Sequence, residues 1–292
     1  MTHWGKIDKI FSWVGAISSF CLLVLGGYVR ATGAGLSCPD WPLCFDRAVP
    51  DFSIAGVPQE VGHRYLAFFV SLCIVLVTIA TFKSRVASAH RWRVARWMIP
   101  VLIAQIILGG LTVLMLLKPL IVTLHLVFGT ILVQQFLVLI GMANREKPSA
   151  ERPKTQKNLS KLLIGGVLLT GAQIALGGFV GSSGLALVCL DIPSCGPALL
   201  GTLPQQHIHM AHRILGVVVL GYFLFTTFQG GLWRGIEIGK LQRFAPVFLI
   251  CIQIGLGVAN IWYHVPIPAV LSHLALAQLI LAVVINTVIR LR

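Results

Sequence analysis

The sequence predicts an all-α integral membrane protein whose eight transmembrane helices form two tandem four-helix bundles, related by a pseudo-twofold axis along the membrane normal. Three observations lead there. Of 292 residues, 57% are hydrophobic and 11% charged, and the mean hydropathy of +0.87 lies far from that of soluble domains. Eight apolar runs approach or exceed the roughly 20 residues that cross a bilayer. Motifs of the first half also return in the second at a nearly constant spacing, the mark of an internal repeat.

The runs cover residues 11–28, 61–82, 97–117, 119–143, 162–180, 210–232, 244–263 and 267–289. The first is longer than a signal-peptide core and ends in GGYVRATGAG without a small-x-small cleavage site, so it reads as a spanning helix. The second opens on EVGHRYLA, which places a carboxylate, an imidazole and a guanidinium where a helix enters lipid. The third and fourth are separated by little more than Lys118, so they form a tight antiparallel pair. The fifth follows the polar, basic stretch NREKPSAERPKTQKN, and the sixth opens on HMAHRILG, a counterpart of the second. The seventh and eighth pair as the third and fourth do. The expected domains are therefore 1–143 and 162–292, joined by a basic linker over 144–161.

A net charge of +14 raises the question of nucleic acid, but its distribution gives a different answer. Basic residues gather between runs two and three (Lys83, Arg85, Arg91, Arg93, Arg96), between four and five (Arg145, Lys147, Arg152, Lys154, Lys157, Lys161), between six and seven (Arg234, Lys240, Arg243) and at both ends. All of these lie on one side of the membrane, so the positive-inside rule puts both termini in the cytoplasm, as in a multi-pass protein of the cell inner membrane. The charge is an orientation signal, and no nucleic-acid partner is expected.

The opposite, extracytoplasmic side carries two long loops with CPDWPLC and CLDIPSC. In an oxidising compartment these cysteines are read as disulfides, Cys38 with Cys44 and Cys189 with Cys195. Free thiols or a redox-active pair are the alternatives; Cys-x-x-Cys spacing is absent. So small a ring gains only about 2 kcal/mol from loop entropy, so its use is to shape the loop. Cys21, Cys73 and Cys251 fall within apolar runs as packing residues.

The repeat aligns LGGYVRATGAGLSCPDWPLC with LGGFVGSSGLALVCLDIPSC, GHRYLA with AHRILG, AQIILGG with IQIGLGV and LHLVFG with SHLALA. Each half holds an even number of crossings, so the halves are parallel repeats. Glycine pairs such as Gly26-Gly27, Gly109-Gly110 and Gly177-Gly178 suit close helix approach or a flat ligand.

Four histidines fall at matched depth: His63 and His125 in the first half, His212 and His273 in the second. His125 and His273 lie about six residues into their runs, roughly 9 Å at 1.5 Å per residue. A lone membrane histidine is usually a packing residue, but two per half in repeated contexts suit a cofactor held between helices. Paired imidazoles fit the axial positions of haem iron, whereas zinc would call for further ligands nearby. Arg64 and Arg213 follow two of these histidines, either snorkelling to the interface or, with Arg30, gripping haem propionates. Glu60 precedes His63 by three residues, where the second half has His209. It is read as proton-coupled chemistry in the first half only, or as a helix-start carboxylate favoured by the dipole. His207, His209 and His264 are expected to be solvated.

These residues resemble the haem A synthase family, on GGYVRATGAGLSCPDWPLC, the E-x-x-H-R of Glu60 to Arg64, the histidines of runs four, six and eight, and the duplicated cysteine loops. The resemblance covers essentially the whole chain. Ala34 departs from it where a serine is expected, and CLDIPSC lacks the tryptophan of the first loop. It implies oxidation of the C8 methyl group of haem O to a formyl group, giving haem A for cytochrome oxidase biogenesis. It also implies that His212 and His273 ligate a permanent haem b, that His63 and His125 hold the substrate haem, and that Glu60 acts there as proton acceptor or stabiliser of a cationic intermediate. Electrons would leave the substrate site through the second haem. Implied neighbours are a haem O synthase and an electron acceptor whose identity the sequence leaves open, as it does a homo-oligomer. The rivals are a di-haem electron-transfer cytochrome that oxidises no substrate and a haem-carrying transporter.

Overall fold

The computed structural model describes residues 3–85, 89–143, 153–234, 236 and 238–291. The described residues contain helices and short turns and no strand longer than an isolated bridge. The helices are α1 (His3–Ala31), α2 (Val57–Lys83), α3 (Ala89–Ala95), α4 (Met98–Leu114), α5 (Pro119–Ala143), α6 (Lys154–Ser182), α7 (Pro204–Phe228), α8 (Lys240–Trp262) and α9 (Ile267–Leu291). With α3 and α4 counted as one crossing, eight helical segments are long and apolar enough to span a membrane.

Most helices overrun their apolar runs, because composition marks the hydrocarbon layer while backbone hydrogen bonding continues into the interface. α7 begins at Pro204, a residue suited to the first helical turn, and the Gln206 side chain accepts from the Leu203 amide at 3.1 Å. It ends at Phe228, before the Gly230-Gly231 pair that the apolar run had included. Residues 144–152 of the expected linker lie outside the described residues. Its remainder from Lys154 onward is already the first turns of α6.

Contacts divide the chain into two compact units, Met1–Asn144 and Arg145–Arg292. In the first, α1 packs on α2 and α5, and α4 packs on both α5 and α2, closing a four-helix bundle. In the second, α6 packs on α7 and α9, and α8 on α7 and α9. The turn from α4 to α5 puts Leu116 and Leu117 in the left-handed region (φ 52° and 57°), and that from α8 to α9 does the same with His264 and Val265 (φ 57° and 54°). Two consecutive non-glycine residues there are costly, so the same tight reversal has been kept in each unit.

Each apolar core lies toward the ends of the bundle that carry the chain termini. In the first unit it contains Ala16, Val70, Ile74, Val77, Met98, Phe136 and Leu139, and in the second Leu163, Phe223, Ile250, Ile280 and Val284. Phe136 is eleven residues beyond His125 on α5, about 16 Å along the helix. The half of each bundle nearest the cysteine loops is thus not closed by this core. The cores are not copies of one another. Phe136 of α5 fills the space beside Gly15, whereas at the matched Gly166 the filling ring is Phe223 of α7.

One buried ion pair belongs to the first unit. Asp8 takes a fork from Arg91, with Nη2 2.7 Å from both carboxylate oxygens and Nε 3.0 Å from Oδ2; Arg91 also donates to the Leu139 carbonyl. At the position matching Asp8 the second unit has Leu159, fully buried in its core. Asp8→Ala leaves the guanidinium buried and uncompensated, so it is expected to destabilise the first unit by about 3–5 kcal/mol, read as a fall in the melting temperature of the detergent-solubilised protein. Asp8→Leu combined with Arg91→Leu should recover most of that loss.

Candidate functional site

The cysteine loops are the scaffold on which each site is built. Cys38 is bonded to Cys44 and Cys189 to Cys195, and all four are buried. Just after each ring an isolated backbone bridge turns the chain, Cys44 with Arg47 and Cys195 with Ala198. Within the first ring, Asp40 accepts from the amides of Phe45 at 2.7 Å and Asp46 at 2.8 Å. The Asp46 amide is the main reason its carboxyl titrates below the ordinary aspartate value.

The arginines that follow His63 and His212 clamp these rings. Arg64 Nη1 donates to the carbonyls of Asp40 at 3.0 Å and Pro42 at 3.3 Å, and to that of Leu43. Arg213 repeats the pattern on Asp191 at 2.6 Å, Ser194 at 3.1 Å and Cys189 at 2.5 Å. The sequence had suggested snorkelling or propionate binding. The use seen here is a third one, and it has a physical reason: several loop carbonyls of each ring face the arginine, and a planar five-donor group satisfies them together. Arg30, at the end of α1, is exposed.

Glu60 is buried, with 4% of its surface exposed. Its Oε2 accepts from the Cys38 amide at 2.8 Å and its Oε1 pairs with Arg64 Nη2 at 2.5 Å. Glu60 therefore joins the first turn of α2 to the disulfide ring. The second unit has no carboxylate at this place. There His209 is buried rather than solvated as expected, 5% exposed with an unpartnered Nδ1, because α7 starts early enough to carry it inside. His207 and His264 are exposed, as the sequence suggested.

Below the rings lie the four histidines. Each imidazole rests against a glycine of the preceding long helix. A methyl group on Gly26 would stand 3.0 Å from Cε1 of His63, and one on Gly109 3.1 Å from that of His125. The corresponding distances are 2.7 Å for Gly177 and His212 and 3.4 Å for Gly257 and His273. A methyl at Gly177 would force the His212 ring to shift and one at Gly26 or Gly109 would crowd its ring, whereas one at Gly257 would make ordinary contact with His273; the first three glycines therefore set ring position. All four rings are half-buried and the Nδ1 of every one is shut from solvent; the backbone of Leu22, Gln105 and Gln253 lies against the rings of His63, His125 and His273. His63 lies within electrostatic reach of His125, and His212 of His273.

This donor set suits a metal that arrives with most of its ligands. No group of three or more His, Cys, Asp or Glu among the described residues could hold a bare ion, whereas two neutral imidazoles on different helices match the axial demand of an iron porphyrin.

The family model described as COX15-CtaA, cytochrome oxidase assembly protein, matches residues 9–61 and 51–285. The chain belongs to the COX15-CtaA family. It is similar to proteins named Heme A synthase from Shewanella oneidensis (25% identical, covering 92% of each chain) and Bacillus licheniformis (24%, covering 91% of each). A third, from Exiguobacterium sp., is 26% identical over 85% of this chain and 81% of its own. In this COX15-CtaA chain the matched segments include the cysteine loops and all four histidines.

The sequence singled out the histidines, Glu60 and the cysteines; the structure places His63 within reach of His125 and His212 within reach of His273, and joins Glu60 to the first cysteine loop. In sequence the glycine pairs read as suited to close helix approach or a flat ligand, without a link to the histidines; Gly26, Gly109 and Gly177, which begin those pairs, each face an imidazole. The repeat aligned Gln105 with Gln253 but gave neither glutamine, nor Gly257, a role. The signal available was their spacing of four from Gly109 and Gly257, one turn apart on a single helix face.

Proposed function

We propose that this COX15-CtaA member is a haem A synthase, an oxidoreductase that converts the C8 methyl group of haem O to a formyl group by successive hydroxylations. The observation that carries the reading is the fourfold pairing of a half-buried imidazole with a glycine notch, two to each unit, in a chain of this family. His63 and His125 are assigned to the substrate haem, with Glu60 as the proton acceptor at that site, and His212 and His273 to a resident haem b. When bound between those two residues, haem b supplies a one-electron redox centre. The chain's own contribution is to fix ring positions through glycines, to keep the imidazoles in an apolar bundle, and to hold a carboxylate at the mouth of the first unit only.

Arg64 and Arg213 hold loop carbonyls, so their assigned part at the haem edge is to fix the cysteine loops, and Arg30 at the end of α1 is assigned as a propionate candidate. Both termini are assigned to the cytoplasm and the cysteine loops to the outer face of the cell inner membrane. Haem O delivery by a haem O synthase and electron removal by a separate acceptor complete the scheme. Expression in a host that makes haem O but no haem A tests it directly. Extracted pigments should then contain haem A alongside haem b. A protein that binds two haems b and forms no haem A would instead be the di-haem relay.

A further inference from the structure

The helix faces that seat the imidazoles carry a second repeated residue. Gln105, Gln173 and Gln253 each stand four residues before a ring-seating glycine, Gly109, Gly177 and Gly257. On α1 the matching position, four before Gly26, is Leu22, which packs against the apolar core of the first unit. The amides are used differently in the two units. Gln173 Nε2 donates to the backbone carbonyl of His212 at 3.0 Å and Gln253 Nε2 to that of His273 at 2.9 Å. Gln105 Nε2 instead faces the His125 ring, 3.4 Å from its Nε2.

A helical carbonyl already accepts from the amide four residues on, so a glutamine bonding to it uses its second lone pair and ties two helices together at the turn that carries the imidazole. Both histidine turns of the second unit are tied in this way. In the first unit Leu22 has no side-chain amide to offer the His63 carbonyl, although its backbone lies against the His63 ring, and Gln105 is turned to the His125 ring. The Oε1 atoms of all three glutamines are buried without partners, a cost that an apolar residue such as Leu22 avoids, so packing alone does not account for glutamine here.

We propose that these residues set how firmly each unit keeps its haem: Gln173 and Gln253 are positioning residues that make the second unit's haem resident, and Leu22, which has no side-chain amide, leaves the backbone turn of His63 without such a tie so that the first unit's haem exchanges. Releasing a porphyrin requires an imidazole to swing off the iron, and a helix turn held across to its neighbour resists that motion. The proposal rests on the assignment of one haem to each histidine pair.

The test uses the full-length purified protein carrying its haems, with apomyoglobin added as haem acceptor and transfer followed in the Soret band. Wild-type transfer should be biphasic, with His63→Ala removing the fast phase and His212→Ala the slow one. Gln173→Leu and Gln253→Leu should each speed the slow phase about tenfold, the factor that one net hydrogen bond carries, and shift the low-spin electron paramagnetic resonance signal of that haem. Conversely, Leu22→Gln should slow the fast phase by a similar factor. Gln105 and Gln173 lie 3.1 Å and 3.2 Å from where a methyl on Gly129 and Gly216 would sit. Ala67 occupies that place after His63, so Leu22→Gln is also combined with Ala67→Gly.

An unchanged slow phase and an unchanged resonance signal in the glutamine variants would overturn the proposal. So would an unchanged fast phase in the Leu22→Gln, Ala67→Gly protein, which decides the matter if the leucine variants fail to fold. Wild-type protein whose haem content is independent of His63 and His212 would instead overturn the underlying assignment. A single uniform transfer rate with histidine-dependent haem would overturn only the inference about the glutamines.

Discussion

His212→Ala and His273→Ala are each expected to strip the protein of haem b and to abolish haem A formation, while His63→Ala and His125→Ala should abolish haem A formation and leave haem b in place. The expectation follows from the independence of the two units' sites. Each imidazole is seated by a glycine within its own unit, Gly177 and Gly257 in the second, Gly26 and Gly109 in the first. Removing one ring should therefore not disturb the other pair. Loss of an iron ligand should lower haem affinity by more than the roughly 10–100-fold that loss of an outer-shell partner costs. The measurement is haem content and haem type per protein, from extracted pigments. An alanine is smaller than the ring it replaces and the glycine opposite remains, so the space stays open for added imidazole. Partial recovery of the haem b spectrum in His212→Ala with imidazole would separate a lost ligand from a misfolded bundle. Retention of haem b in both His212→Ala and His273→Ala would remove the assignment.

Most of the architecture is legible in the sequence because membrane crossing imposes a length and a composition that few other structures need. The eight runs follow from that, while the repeat and the disulfides are legible because their motifs recur, the two cysteine pairs at the same spacing in matched loops. The histidines are legible for another reason: polar residues are rare in such helices, and four in register stand out. What escapes is what depends on contact across helices. Arg64 and Arg213 look like interface residues, yet they satisfy inward-turned carbonyls of the rings, because the direction in which a loop points its carbonyls is set by its closure and not by its composition. The burial of His209 depends on where α7 begins, and the hydropathy run placed that start six residues late. Gln173 reads as one polar residue in an apolar helix until its bond to the His212 carbonyl is seen. The difference between the units at Asp8 and Leu159 is equally silent in sequence, since either a buried ion pair or a leucine can fill that place.

Glu60 is where the two readings of the first unit separate. Glu60→Ala is expected to spare haem b and to lower haem A formation by about 10²–10⁴-fold, the range that a positioned proton acceptor contributes. Yet the same carboxylate holds the Cys38 amide and the Arg64 guanidinium, so alanine also unfastens the disulfide ring from α2 and leaves a buried donor without its acceptor. Loss of activity in that variant alone would not tell chemistry from scaffolding. Glu60→Gln is the sharper experiment. Its carbonyl oxygen can still accept from the Cys38 amide, while its uncharged side chain can neither neutralise Arg64 nor take a proton near neutral pH. The ring would then stay attached at one of its two points. A deep loss in Glu60→Gln, with haem b and the Cys38–Cys44 bond intact, assigns the effect to the carboxylate charge. Recovery of haem A output to near wild type in Glu60→Gln, with alanine still defective, would make Glu60 a residue that anchors the loop, and the first unit would then need another proton acceptor.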